Sequence, residues 1–167
     1  MEAFFFTRTK REKEYEMNEA AQSYWIHYTL SKSVENQHTV TAWQFGGNPD
    51  YLAQLVMEGI KTATCSAKIL YDKEEEKLPA VGDYSIILNS KDEPVAIIRT
   101  TEVEIMPMNQ VSEEFAIAEG EGDRTYDYWK RVHIEFFTEE LSRYDLEFSE
   151  DIMLVCERFE LVNVKGE

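Results

Sequence analysis

The chain has few of the side chains that build disulfide frameworks and metal centres. It contains two cysteines, Cys65 and Cys156, and three histidines, His27, His38 and His133. Both cysteines lie in apolar, strand-like stretches, which is typical of reduced, buried thiols and favours a cytoplasmic protein. The histidines show no ligand spacing. The sequence therefore predicts no metal site, and nothing in it indicates a cofactor.

Long apolar runs are also missing. No segment approaches the roughly 20 consecutive apolar residues that a transmembrane helix needs, so we expect no membrane partner. The aromatic triplet at residues 4–6 is short and precedes a charged stretch, an order unlike that of a secretory signal.

Basic residues are scarce relative to acidic ones. The chain has 17 Lys and Arg against 33 Asp and Glu, which gives a net charge of −16. Duplex nucleic acids are bound through several basic contacts to phosphate, so this composition predicts no binding to duplex DNA. A nucleoside or a short single-stranded RNA is the easier ligand for such a protein. The composition does not indicate an oligomeric state.

What is present suffices for one domain, because 43% of the residues are hydrophobic and 13% are aromatic. We place that domain at residues 17–167. Residues 1–16 include a highly charged stretch without an apolar stripe, which predicts a frayed N-terminal extension. Asn18 then precedes a predicted N-terminal helix and is suited to cap it. The apolar positions of this helix are Ala21, Trp25, Tyr28 and Leu30.

The second predicted helix has clear boundaries. Asn48 is suited to cap it, Pro49 to occupy its first turn, and Gly59 to end it. Its apolar face comprises Leu52, Leu55 and Val56. Lys61 follows at the joint between this helix and a strand, where strand alternation does not fix the direction of the side chain.

The remainder of the chain predicts a strand-rich α+β fold. The stretches "VGDYSIILN", "VAIIRTTEVEI" and "DIMLVCERFELVNV" favour strands. "VSEEFAIAEGEGDR" predicts a short helix followed by a glycine-broken acidic loop. "TYDYWKRVHIEFFTEELSRY" predicts a long helix with Trp129, Val132 and Phe136 on one side. Strands with helices set around them indicate a curved sheet or a small barrel.

Four stretches together resemble the ASCH domain family (activating signal cointegrator homology). They are "AWQFGGNP", "GIKTATCS", "VGDYSIIL…IRTTEVE" and "EFAIAEGEGDRTYDYWKRVHIEFF", followed by "FSEDIMLVCERFELV". The resemblance is closest to the uncharacterised bacterial branch of the family. It implies a fold similar to the PUA domain of RNA-modifying enzymes, with a small β-barrel of five to six strands and flanking helices. It also implies a ligand pocket at the barrel mouth.

The resemblance further implies roles for individual residues. In similar hydrolases that remove the acyl group from N(4)-acetylcytidine, the lysine and second threonine of G-x-K-T-x-T act with a glutamate of the acidic loop. These positions correspond to Lys61, Thr64 and Glu121, with Glu119 as the alternative carboxylate. Ser66 stands where that branch carries an arginine, and the candidate replacements are Arg124, Arg99 and Lys68.

Chemistry and structure offer competing roles for these residues. A neutral lysine with a lowered pKa could accept the proton of a threonine hydroxyl nucleophile. Lys61 could instead be a solvated residue beyond a helix end, and Thr64 an ordinary strand residue. Tyr126 and Trp129 could stack on a nucleobase, although core packing is the other role for Trp129. His133 is a ligand contact or a hydrogen-bonded core histidine.

The sequence is compatible with three functions. The first is an ASCH domain that binds a nucleoside or short RNA without catalysis. The second is an amidohydrolase acting on N(4)-acetylcytidine or a related small amide. The third is a non-catalytic protein-interaction module that uses its acidic surface. We rank the first ahead of the others.

Overall fold

The structure, a computed structural model, describes residues 17–35 and 38–167, and the extension predicted at residues 1–16 lies outside them. Within the described residues the fold is α+β, as predicted. The elements in chain order are α1 (Glu19–Lys32), β1 (Val40–Trp43), α2 (Pro49–Met57), β2 (Ala63–Ala67), α3 (Lys68–Lys73), β3 (Tyr84–Leu88), β4 (Pro94–Pro107), a 3₁₀ turn (Met108–Gln110), α4 (Glu113–Ala118), α5 (Tyr126–Ser142) and β5 (Met153–Val164).

The five strands form one open mixed sheet in the order β1-β3-β4-β5-β2. β1 is parallel to β3, and the other neighbouring pairs are antiparallel. The predicted small barrel is not closed, because the edge strands β1 and β2 do not pair with each other within the described residues. The chain between these two edges forms α2, which packs on one face of the sheet.

The predicted helix boundaries are confirmed where local signals set them. The side chains of Asn18 and Asn48 accept amide hydrogen bonds at the starts of α1 and α2, and Pro49 occupies the first turn of α2. Gly59 follows α2 with a φ of +72°, a conformation that glycine adopts at low cost. These ends were readable from sequence because each depends on a few neighbouring residues.

Both faces of the central strands are covered. α2 buries Leu52, Leu55 and Val56 against Ile87, Ile98 and Phe159 of the sheet. α1 packs Tyr24, Trp25 and Tyr28 against Tyr84, Ile86 and Ile97. Leu30 was expected on the apolar face of α1 but is 78% exposed, because it falls outside the buried i, i+3, i+4, i+7 stripe that begins at Ala21.

The long helix α5 buries a stripe that differs from the predicted one. Its buried residues are Trp129, His133, Phe137 and Leu141. The predicted members Val132 and Phe136 lie at its margin and are only half-buried. The stripe repeats every four residues and includes a histidine, so apolarity alone did not locate it. This face joins α4 and β2 in a third core cluster.

Among the described residues, no helix has both the length and the apolar character needed to cross a lipid bilayer.

Candidate functional site

The position of Lys61 is set by the end of α2. Gly59 closes that helix in a Schellman motif, in which the Ile60 amide donates to the Leu55 carbonyl at 2.9 Å. The Lys61 amide donates to the same Leu55 carbonyl at 3.1 Å. With its backbone held in this way, Lys61 turns inward and is only 2% exposed. It is therefore not a solvated residue at a helix end.

A loop between α4 and α5, residues 119–124, covers the Lys61 segment, and we call it the glycine loop. The Thr62 amide donates to the Ala118 carbonyl at 2.8 Å, just before this loop begins. Gly120 has a φ of +71°, and a Cβ at this position would lie 2.5 Å from the Ile60 carbonyl oxygen. Glycine is therefore required for the loop to approach the backbone this closely.

The amine of Lys61 meets a carboxylate of the glycine loop. Its Nζ donates to Oε1 of Glu121 at 2.8 Å, and the two side chains are 1% and 18% exposed. Nζ also donates to the main-chain carbonyl of Glu119 at 3.4 Å and lies 5.4 Å from the centre of the Phe45 ring. Burial by itself would lower the pKa of Lys61, but the Glu119 and Glu121 carboxylates outweigh it and raise that pKa. Lys61 is therefore an ammonium group.

The carboxylate of Glu119 faces α5. Its Oε2 accepts the indole N–H of Trp129 and lies 2.8 Å from Nε2 of His133. The other ring nitrogen of His133, Nδ1, lies 2.7 Å from the main-chain carbonyl oxygen of Trp129. Trp129 and His133 are four residues apart on one helix, which places both side chains on the face that meets Glu119.

These contacts determine the charges of the buried groups. Burial by itself would raise the pKa of Glu119, but the His133 and Lys61 charges and two donated hydrogen bonds lower it. Burial would lower the pKa of His133, whereas the Glu119 carboxylate raises it. The site thus combines the Lys61 ammonium and the His133 imidazole with the carboxyl groups of Glu119 and Glu121.

The thiol of Cys65 approaches this cluster from β2. Burial and then the Glu119 charge raise the pKa of Cys65 well above its ordinary value, so it remains a thiol. Atoms of Cys65, Glu119 and His133 with metal-binding chemistry lie within 4.8 Å of one another. The carboxylate oxygen is already bound by the Trp129 and His133 N–H groups, however, and we assign no metal here. The absence of a metal site remains a prediction.

Comparison with known proteins identifies the family of this chain. The family model of the ASCH domain matches residues 41–163. The protein belongs to the ASCH domain family. This match confirms the resemblance inferred from the sequence stretches around Lys61 and the glycine loop. None of the curated proteins matches the chain.

Two solved structures are similar over most of this ASCH domain. Protein EF3133 from Enterococcus faecalis V583 is 45% identical, with a TM-score of 0.81, over 90% of this chain and 92% of that one. The ASCH domain from Lactobacillus crispatus JV V101 is 34% identical, with a TM-score of 0.80, over 87% of this chain and 95% of that one.

Thr64 does not take part in the Lys61–Glu121 ion pair of this ASCH domain. β2 pairs regularly with β5, so that Thr64 opposes Glu157 and Cys65 opposes Cys156. Successive strand residues point to opposite faces, so Thr64 faces away from the side on which Cys65 approaches Glu119. No hydrogen bond joins Thr64 to Lys61 or Glu121 in the part of the chain that the structure describes. Of the three predicted catalytic residues, Lys61 and Glu121 are joined by a hydrogen bond.

Ser66 occupies the position where the hydrolase branch carries an arginine, and its hydroxyl is 2.9 Å from that of Tyr71.

The three predicted substitutes for that arginine lie in different parts of the fold. Arg99 forms an ion pair with Glu160 at 2.7 Å on the β4–β5 ladder. Lys68 pairs with Asp72 at 3.5 Å on α3. Arg124 is exposed and belongs to the glycine loop, where its amide donates to the Glu121 carbonyl at 3.0 Å. Of these three cations, Arg124 is the one that shares the glycine loop with Glu121.

Three other predicted contacts form a stack along α5. The Tyr126 and Trp129 ring centroids are 5.6 Å apart, and those of Trp129 and His133 are 4.6 Å apart. Trp129 is 2% exposed and offers no free face to a base. Tyr126 is half-buried and lines a cleft of about 430 Å³ together with Val111, Glu113, Thr125 and Asp127. That cleft does not include Lys61 or Glu121.

Three parts of the site are not predicted by the sequence. Phe45 places its ring beside the Lys61 ammonium. Cys65 is predicted as a buried thiol, but its proximity to Glu119 is not. The Tyr51 hydroxyl accepts the Gly122 amide at 3.1 Å and so ties α2 to the glycine loop. No sequence signal marks Tyr51, because it lies outside the apolar face of α2 and acts on a residue distant in sequence.

Replacing Gly120 with alanine is expected to lower the free energy of unfolding more than replacing Gly47 with alanine. Both residues have positive φ, which costs roughly 1–2 kcal/mol for alanine. A Cβ at Gly47 meets nothing within 4 Å, whereas at Gly120 it collides with the Ile60 backbone. Urea unfolding of both variants measures the difference, which we expect to be about 1–3 kcal/mol. Equal losses would contradict the close approach.

Proposed function

We propose that this ASCH domain binds a nucleoside, or an unpaired base of a short single-stranded RNA, at the Lys61–Glu121 ion pair. The supporting observation is that the buried ammonium of Lys61 lies 2.8 Å from the partly exposed carboxylate of Glu121. Glu121 belongs to the glycine loop, in which Gly120 and Gly122 have positive φ. The pair offers a hydrogen-bond donor and an acceptor side by side. The ASCH resemblance implies a fold similar to the PUA domain of RNA-modifying enzymes, and this similarity supports the same class of ligand.

A nucleobase edge is complementary to such a pair. A cytosine edge, for example, carries an amino donor next to ring and carbonyl acceptors. A carboxylate accepts from the cytosine amino group, and an ammonium can donate to the neighbouring acceptor. These edges are accessible in nucleosides and in unpaired bases, but in a duplex they are occupied by base pairing. The net charge of −16 also disfavours long duplexes.

Binding requires the glycine loop to move. Lys61 is 2% exposed, so a ligand reaches its amine after Glu121 and the adjacent backbone shift outward. The Gly122–Tyr51 hydrogen bond lies at the surface and ties the loop to α2. Arg124 is exposed at the end of the same loop, and in this proposal its guanidinium contacts a phosphate or sugar of the ligand.

The amidohydrolase alternative has less support from the geometry. A lysine that accepts a proton from a threonine hydroxyl must be neutral, yet the pKa of Lys61 is raised by its two carboxylate neighbours. Thr64 also lacks a hydrogen bond to Lys61 among the described residues. We therefore expect no release of acetate from N(4)-acetylcytidine. Turnover of that compound at a rate proportional to enzyme concentration would favour the hydrolase instead.

Calorimetric titration with cytidine and with a short single-stranded RNA tests the proposal. We expect both to bind at physiological salt and a duplex of the same length to bind more weakly. Glu121→Gln should weaken cytidine binding by about tenfold or more, because it removes a charged hydrogen-bond acceptor. Glu139→Gln alters an exposed glutamate of α5 and should leave binding unchanged. Tight, sequence-independent binding of the duplex would contradict the proposal.

A further inference from the structure

Beneath the Lys61–Glu121 pair lies a second charged pair, Glu119 and His133, that the proposed ligand does not contact. Glu119 is 1% exposed and His133 is 8% exposed. Such an ion pair is expensive to bury and does not by itself stabilise a fold more than apolar packing would. The pair adjoins the proposed ligand site, so we consider its effect on that site.

Each of the two hydrogen bonds made by the His133 ring nitrogens needs a proton. Nδ1 lies 2.7 Å from the Trp129 carbonyl oxygen, which only accepts, so Nδ1 carries a hydrogen. Nε2 lies 2.8 Å from Oε2 of Glu119. This second contact needs a proton either on Nε2 or on the carboxyl group. The neighbouring Lys61 ammonium and the Trp129 N–H both favour the carboxylate, so the proton belongs to Nε2.

Glu119 connects this pair to Lys61. Its main-chain carbonyl accepts from Lys61 Nζ at 3.4 Å, while its carboxylate is held by Trp129 and His133. The side-chain bonds anchor residue 119 to α5. Its main-chain carbonyl accepts from the ammonium, and the negative charge of its carboxylate acts on the ammonium electrostatically. Lys61 is thereby held between residue 119 and the carboxylate of Glu121, which is 2.8 Å away.

We propose that Glu119 is a positioning residue for the ligand site, held as a carboxylate by an imidazolium at His133 and by Trp129, and that it keeps Lys61 charged and directed at Glu121. Its effect on ligand binding rests on the proposed function. Its effect on the protonation of His133 and Lys61 does not. These two consequences can be measured separately.

Nitrogen-detected NMR titration of the unliganded protein tests the protonation. We expect both ring nitrogens of His133 to carry hydrogen at pH 7.5 in the unaltered chain. In Glu119→Gln, which preserves size and hydrogen bonding but removes the charge, one ring nitrogen should lose its proton, because the amide can donate to Nε2. The Lys61 amine should then titrate at a lower pH. Glu139→Gln, on the exposed side of α5, should change neither titration.

Cytidine titration of the same proteins tests the consequence for the site. Glu119→Gln is expected to weaken binding by about tenfold, although the residue does not touch the ligand. If cytidine binds none of the proteins, the proposed function fails while the NMR titrations still decide the role of Glu119.

Three results would overturn the positioning role. The first is a neutral His133 in the unaltered chain at pH 7.5, a measurement that does not depend on any variant folding. The second is a Lys61 titration that is the same with and without the Glu119 charge. The third is stoichiometric zinc in the purified protein, since a metal on Cys65, Glu119 and His133 would replace the proton on Nε2.

Discussion

Lys61→Met is expected to lower the free energy of unfolding by about 3–5 kcal/mol and to abolish nucleoside binding. Methionine fits the volume of the lysine side chain but leaves Glu119 and Glu121 without their shared cation in a buried site. Removal of one partner of a buried ion pair has a cost of this order. Urea unfolding and cytidine titration measure the two effects. A variant that retained full stability would show that Lys61 is not needed as a buried cation.

Lys68→Met is the matched control. Lys68 lies seven residues later, pairs with Asp72 at 3.5 Å, and has a side chain that is 34% exposed. Exposed i, i+4 pairs of this kind contribute about 0.3–0.5 kcal/mol. The same substitution should therefore change stability little and leave ligand binding intact. Similar losses in both variants would indicate that the methionine side chain, rather than the lost charge, is responsible.

Glu119→Ala is expected to be as destabilising as Lys61→Met, again by about 3–5 kcal/mol. The substitution leaves the Trp129 N–H and the His133 imidazolium without an acceptor and opens a cavity beneath the glycine loop. Glu139→Ala, at a residue paired with Arg143 on the exposed side of α5, should change stability by about 0.5 kcal/mol or less. Chemical unfolding of both variants provides the comparison.

The destabilisation by Glu119→Ala should also depend on pH. The pKa of Glu119 is lowered by folding, so its contribution is present above its unfolded pKa of about 4.3 and is lost as the pH falls below that value. The pKa of His133 is raised, so its contribution is complete below its unfolded pKa of about 6.5 and is lost as the pH rises through the folded value. The difference between the two proteins should therefore be largest between these unfolded values. A difference independent of pH would contradict the charged pair.

Local sequence signals determined the helix boundaries and the fold class. Asn18, Asn48, Pro49 and Gly59 act on residues within a few positions, so their effect on the backbone does not depend on the rest of the fold. Strand-like stretches alternating with helices were enough to predict an α+β domain. The family was also evident from sequence, because its motifs lie in order along the chain.

Two features depended on tertiary structure: the open edges of the sheet and the identity of the residues on the buried helix faces. The strand order leaves β1 and β2 at opposite edges of the sheet, and no local sequence pattern encodes that order. The stripe of α5 is shifted from the predicted one because His133 is buried by its bonds to Glu119 and Trp129, and those partners compensate for its polarity.

The candidate site shows the same division. The sequence by itself marked Lys61 and Glu121 as candidates through the family motif and the glycine loop, and it left Glu119 as the alternative to Glu121. Only the tertiary structure distinguishes the two carboxylates: that of Glu121 forms an ion pair with Lys61, whereas that of Glu119 contacts His133 and Trp129. The physical reason is that charge and pKa depend on distances between groups that lie on different elements, and sequence spacing does not determine those distances.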